Sequence, residues 1–209
     1  VARSAEDKAR KQDLILDAAM ELLVARGYAK TTMSDVAARA AVGRGTLYWH
    51  FASKDDLFFS LLEREVSRFD EGFASAMDVD VPSLVKLESL VRASFVLYSE
   101  APNLFRAFFS VLTGAGEAMQ KRIFSLFSSM YGRYNGLIEE LLETAKLDGD
   151  VRRDLDSQVV AAAIVVMLDA MFLQIYFGLV ENDPERLASS MLSMLRRGYL
   201  RAPGKGGEG

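Results

Sequence analysis

Arg44, Thr46, Tyr48 and His50 place four hydrogen-bonding side chains in the run Arg44-Gly45-Thr46-Leu47-Tyr48-Trp49-His50-Phe51, beside the flat amphipathic surface of Trp49. Leu47 and Phe51, four apart, predict the inward face of a short helix whose donors point outward. Such donors can serve catalysis or grip a polar polymer. Catalysis would need a nucleophile or an orienting carboxylate tied to the base, and His50, the single histidine in 209 residues, has neither in any motif. The chain has no cysteine, so thiol chemistry, disulfides and zinc ribbons are excluded too.

The elements that must position these donors are legible from Thr31 onward. Thr31 to Phe51 reads as a short helix, a tight turn and a second short helix, in the spacing that sends the second helix into a DNA major groove. Thr31 or Thr32 can cap the first of these, with Asp35 placed to close a capping box with Thr32. Val36, Ala37 and Ala40 give it a small apolar face. Ala41-Val42-Gly43 breaks the run, and Gly43 is expected to supply the unusual backbone angles. Upstream, a helix from about Arg10 to Arg26 carries Leu14, Ile15, Ala18, Ala19, Leu22 and Leu23 as the floor for the motif, and Gly27 ends it. Val1 to Ala9 reads as a mobile polar tail or, with Arg3, Lys8, Arg10 and Lys11, as a basic arm towards DNA.

These residues resemble the DNA-binding head of the TetR family of ligand-responsive transcriptional repressors. The resemblance is carried by Gly27-Tyr28, Thr31-Thr32, Asp35-Val36-Ala37, Val42, Gly45-Thr46-Leu47-Tyr48, His50-Phe51 and Ser53-Lys54-Asp55-Asp56-Leu57, roughly the first quarter of the chain. Two positions depart from it. Ala41 stands where the turn usually has Gly, and Gly43 where Ser usually caps the second helix. The resemblance implies that Thr32 and Lys54 meet phosphate and that Tyr48 and His50 tie down the backbone. Arg44 and Thr46 are candidates for base edges, Gly45 for close approach, and Trp49 for the sugar-phosphate wall. The plainer alternative for Tyr48 and Trp49 is packing of the small domain.

Charge is distributed to match. Residues 1–54 hold nine Lys/Arg against six Asp/Glu, while the whole chain is net −4, so the basic excess lies in the head. Half the residues are apolar, as in globular proteins. The polar, charged start shows no secretory leader. The apolar run Ala161–Val180 is interrupted by Asp169 and Gln174, which favours a buried helix over a membrane span. The expectation is cytoplasmic, without membrane, metal or cofactor.

Beyond the head every segment keeps helical period. A fourth helix, capped by Ser53, runs to about Met77 with Phe58, Leu62, Val66, Phe69, Phe73 and Met77 on its buried face. Further helices start at Pro82, Leu104, Glu117, Asp154–Asp156 (running to about Val180) and Asp183. Gly132 and Gly136 on the long seventh either allow close approach of another helix or, the favoured reading, loosen it. The expected architecture is all-α with about nine helices: a helix-turn-helix head over 1–53, a ligand-binding and dimerisation domain over 54–201, and a disordered tail over 202–209.

The last two helices read as apolar on more than one face, so a second subunit should cover one. A homodimer through them would present two heads to a pseudo-palindromic double-stranded operator. Aromatic residues gather in the body, and Phe95, Tyr98, Phe109, Phe127, Tyr131 and Phe172 are candidates for lining a site for a small hydrophobic effector. Ser94, Asn135, Asp169 and Gln174 are polar intruders among apolar positions. A buried carboxylate needs a partner, so Asp169 should meet an Arg (Arg133 is a candidate), a Tyr or a ligand cation. Swinging of the fourth helices would couple effector to operator. Competing classes are an all-helical enzyme or apolar-ligand carrier that does not use DNA, and a constitutive architectural DNA-binding protein.

Overall fold

The computed structural model describes residues 2–101 and 103–199. Its helices are α1 (Ala2–Lys30), α2 (Met33–Arg39), α3 (Arg44–His50), α4 (Lys54–Met77), α5 (Ser83–Glu100), α6 (Leu104–Gly114), α7 (Glu117–Asp148), α8 (Ser157–Tyr176) and α9 (Pro184–Tyr199). The all-helical expectation holds, and the tail 202–209 lies outside the described residues. The chain divides into two compact units, Val1–Arg68 with Pro102–Ser128, and Phe69–Ala101 with Ser129–Gly209.

The first unit is built on α1. Ile15, Leu16, Ala18, Ala19, Leu22 and Leu23 are buried, whereas Leu14 is half exposed and lies off the stripe. The helix begins at Ala2, so residues 2–9 of the segment expected as a mobile tail or a basic arm are helical. Gly27 breaks it as expected, with φ 79° and ψ 166°. That break turns the Tyr28 amide outward to donate to Ser110 Oγ of α6 at 2.7 Å. Ala107 and Val111 of α6 and Met119 and Ile123 of α7 then complete one core with Leu47, Phe51, Leu57, Phe58, Leu61 and Leu62. The sequence grouped α6 with the body; its buried face belongs to the head's core.

The second unit packs α5 against α8 and α9. Leu87, Leu90, Val91, Phe95 and Tyr98 are buried on α5, with Ala161, Ile164, Val165, Leu168 and Phe172 on α8 and Leu187, Ala188, Met191, Leu192 and Leu195 on α9. Arg92 pairs with Glu185 at 2.6 Å and Arg196 with Glu88 at 2.5 Å, so two ion pairs flank the α5–α9 seam. Asp156 caps α8, its Oδ1 accepting from the Val159 amide at 3.1 Å. The helix stops at Tyr176 rather than Val180. Gly178 has φ 69°, and the Gly178 and Leu179 amides return to Ile175 and Gln174 carbonyls at 2.9 Å, a Schellman ending.

The two-faced reading holds for α8 alone. Val159 and Val166 are exposed opposite its buried stripe, although the helix is apolar and long enough to cross a membrane by composition. By contrast, the outer side of α9 carries Ser189, Ser190, Ser193, Arg196 and Arg197, with Met194 the exposed apolar residue there.

Candidate functional site

The helix-turn-helix forms by local rules. Thr32 is the N-cap of α2: its hydroxyl accepts from the Asp35 amide at 3.2 Å, and Asp35 accepts from the Thr32 amide at 2.9 Å. The Thr32 hydroxyl also donates to Asp35 Oδ2 at 2.7 Å, and this bond first, then that of the Thr32 amide, holds the Asp35 carboxyl below the usual carboxylate range. Beneath, Thr31 is fully buried and donates to the Gly27 carbonyl at 2.8 Å.

The turn itself departs from expectation. Ala41, not Gly43, takes the left-handed conformation, with φ 53°, while Gly43 is ordinary extended backbone at φ −66°, ψ 147°. The reason is positional: the residue two after the last helical one must reverse the chain, and that residue is Ala41. Gly43 caps α3 without a side-chain hydrogen bond, so the missing hydroxyl is not replaced.

On α3, Leu47 is fully buried and Phe51 nearly so, as the four-residue spacing requires. Tyr48 is 54% and Trp49 66% exposed, so neither ring belongs to the core of the small domain. Arg44 and Gly45 are exposed as well, and Thr46 and His50 are partly covered. Arg44 donates to the Ser34 hydroxyl on α2, so one of its five N–H groups braces the guanidinium. The Lys8 ammonium lies 4.8 Å from the Trp49 ring centroid, and His50 meets Trp49 edge-on at 4.8 Å. Burial pushes the His50 imidazole below its ordinary pKa, and Lys8 and Lys11 add to the effect.

Lys54 opens α4. Its ammonium stands 4.1 Å from the Tyr28 ring centroid, and burial lowers its pKa against the opposing pull of Asp55. Tyr28 in turn donates its phenol to Asp55, which ties the end of α1 to the start of α4. Ser53 caps that start through the Asp56 amide at 3.1 Å, and Arg122 holds Asp56 at 3.0 Å. Spacing could not have signalled either tie across to Tyr28 or Arg122.

The candidate effector residues fall into separate clusters. In the second unit, the Tyr98 and Phe172 rings stack at 4.2 Å, Tyr98 donates to the Phe172 carbonyl at 2.9 Å, and Phe95 meets Phe172 edge-on at 5.6 Å. All three are buried. Also in that unit, Tyr131 on α7 donates its phenol to Asp169 on α8, and burial raises both groups' pKa values. Arg133 is not the partner of Asp169: it pairs with Asp70 at 2.8 Å. Phe109 and Phe127 lie in the first unit, each near Phe108, at centroid distances of 5.3 and 4.5 Å. No group of three or more potential metal ligands occurs among the described residues.

Residues 15–61 match the model for bacterial regulatory proteins of the tetR family. A fatty acid metabolism regulator protein of Bacillus subtilis is 23% identical over 92% of this chain and 97% of its own. The transcriptional activator FasR of Mycolicibacterium smegmatis is 37% identical over 44% of this chain and 42% of its own. Among solved structures, the fatty acid degradation regulator FadR of Bacillus halodurans superposes with a TM-score of 0.74 at 26% identity, covering 88% of this chain and 94% of that one.

Proposed function

Because the chain belongs to the TetR family of bacterial regulatory proteins, we propose that it is a homodimeric repressor released from a pseudo-palindromic operator by a bulky, mainly hydrophobic small molecule. The observation that carries the reading is the exposure of Arg44, Tyr48 and Trp49 above a fully buried Leu47. A helix of that make-up has an apolar root and a donor-bearing outer surface. Arg44 and Thr46 address base edges, the Thr methyl meeting a thymine methyl, while Gly45 keeps the surface low between them. Thr32, Tyr48, Trp49, His50 and Lys54 hold phosphate and sugar and so set the register. Arg44 can reach a guanine while keeping its bond to Ser34.

Dimerisation supplies the second head. The exposed Val159 and Val166 of α8 and Met194 of α9 support pairing through the last two helices, with heads near a multiple of one turn apart, ~34–36 Å. The relatives named for fatty acid metabolism favour an effector with a long apolar body. The effector acts by preferring the non-binding state; a ~100-fold preference corresponds to about 2.7 kcal/mol.

Selection of bound duplexes from a random library tests the reading. The expected product is an inverted repeat whose binding weakens steeply with salt. Recovery of no enriched sequence, with salt-insensitive retention, would overturn it.

A further inference from the structure

Asp169, set in the apolar run of α8, makes a polar island with Tyr131 and Asn135 of α7. Along α8, Asp169 has the buried Val165 and Phe172 as its neighbours one turn back and one turn ahead. Its carboxylate accepts from Tyr131, and no cation among the described residues contributes to its charge state. Asn135 lies one turn beyond Tyr131, on the same side of α7. Its Oδ1 is buried and receives no hydrogen bond.

The accounting of lone pairs is lopsided. An ionised carboxylate offers about four acceptor sites and an amide oxygen two, against one phenol and the two N–H groups of the Asn135 amide itself. Arg133, two residues beyond Tyr131, is committed to Asp70 at 2.8 Å and to Ser129 at 3.1 Å. A buried acceptor without a donor is costly, and a buried carboxylate with no cation more so. Tyr131 and Asp169 keep part of their surface open. A donor can therefore arrive from outside the chain.

We propose that this island is the polar end of the effector site and that it selects a molecule with a cationic, hydrogen-bond-donating head, such as an ammonium, on an apolar body. The proposal rests on the ligand-responsive reading above and adds the sign of the head group. Carboxylates and phosphates are disfavoured, because each would face the Asp169 charge and bring no donor to Asn135.

The test uses octylammonium, octanoate and octanol, which share a chain and differ in the head. Binding to the full chain is measured by calorimetry, and release of a selected operator duplex by fluorescence anisotropy. Octylammonium should bind at least about tenfold more tightly than octanoate. Asp169→Asn should abolish that preference, and Tyr131→Phe, which frees carboxylate lone pairs, should retain it. Equal binding of all three, or tighter binding of octanoate, overturns the proposal; if operator release still accompanies that binding, the ligand-responsive reading stands. Absence of both binding and release overturns the two together.

Discussion

Tyr134 donates its phenol to Asp70 Oδ1 at 3.0 Å while Arg133 holds Oδ2 at 2.8 Å. Burial, first, and the Asp70 charge push the Tyr134 pKa far above its ordinary value, so it remains a donor across the physiological range. Asp70 belongs to α4, the helix that starts at Lys54 beside α3, and Tyr134 lies one turn along α7 from Tyr131. Asp70 and Tyr134 lie in the same compact unit, so this bond ties the far part of α4 to α7 one turn from Tyr131. Tyr134→Phe should cost about 1 kcal/mol of stability, the worth of a typical hydrogen bond. It should also shrink the effector's influence on operator affinity while effector affinity changes little. Operator titrations with and without saturating effector decide this; an unchanged ratio removes Asp70 and Tyr134 from the coupling.

Ala41 carries a left-handed backbone that costs an L-residue ~1–2 kcal/mol, part of which glycine recovers and part of which it loses as chain entropy. Ala41→Gly should therefore stabilise by about 0.5–1 kcal/mol. Denaturant unfolding would reveal it as a raised midpoint with unchanged slope. A lowered midpoint would count against strain at this turn.

His50 links binding and stability to pH. Its folded pKa lies below the unfolded value of about 6.5 because burial, then Lys8 and Lys11, oppose its charge. The unfolded chain therefore takes up protons more readily, so this contribution to stability is complete above pH ~6.5 and is lost as pH falls through the folded pKa. Phosphate beside the ring would reverse the pull. Operator affinity should rise as pH falls from ~7.5 to ~6, and His50→Gln should flatten that slope. A slope that persists in the variant would place the titrating group elsewhere.

Lys54 and Trp49 offer separate readings of the duplex contact. Lys54→Ala should weaken all sequences alike and lower the salt slope by about 1, the mark of one lost phosphate contact. Arg44→Ala should instead cost ~1–3 kcal/mol and relax preference at one base pair. As the single tryptophan, Trp49 should change its fluorescence on adding a selected operator. Silence of that signal would exclude it from the interface.

Val166, exposed at 62% on α8, should lie within the subunit seam. Val166→Arg should yield monomers by light scattering and lose operator binding, with helical content intact. A dimer that survives the change would move the seam away from this face.

Residue spacing was sufficient for the head because its determinants are local. The Thr32–Asp35 and Ser53–Asp56 caps each close over three residues, and Leu47 and Phe51 share a face by helical period. It was insufficient in two places for which period carries no signal. Leu14 falls on the edge of a stripe whose centre is set by what packs against it. The positive φ went to Ala41 rather than to the nearby glycine. On α9 the period itself separates a buried stripe from a polar outer side, so the two-faced expectation there misread the pattern.

The amino-acid order alone determined a helical chain with a capped, donor-bearing helix at its head, because caps and periods act within a few residues. Folding decided what meets across long separations. Ser110 receives the Tyr28 amide, 82 positions away; Arg133 turns to Asp70 and leaves Asp169 to Tyr131. Such pairings follow from which apolar faces pack together, and a side chain's partner is then whatever that packing brings within ~3 Å.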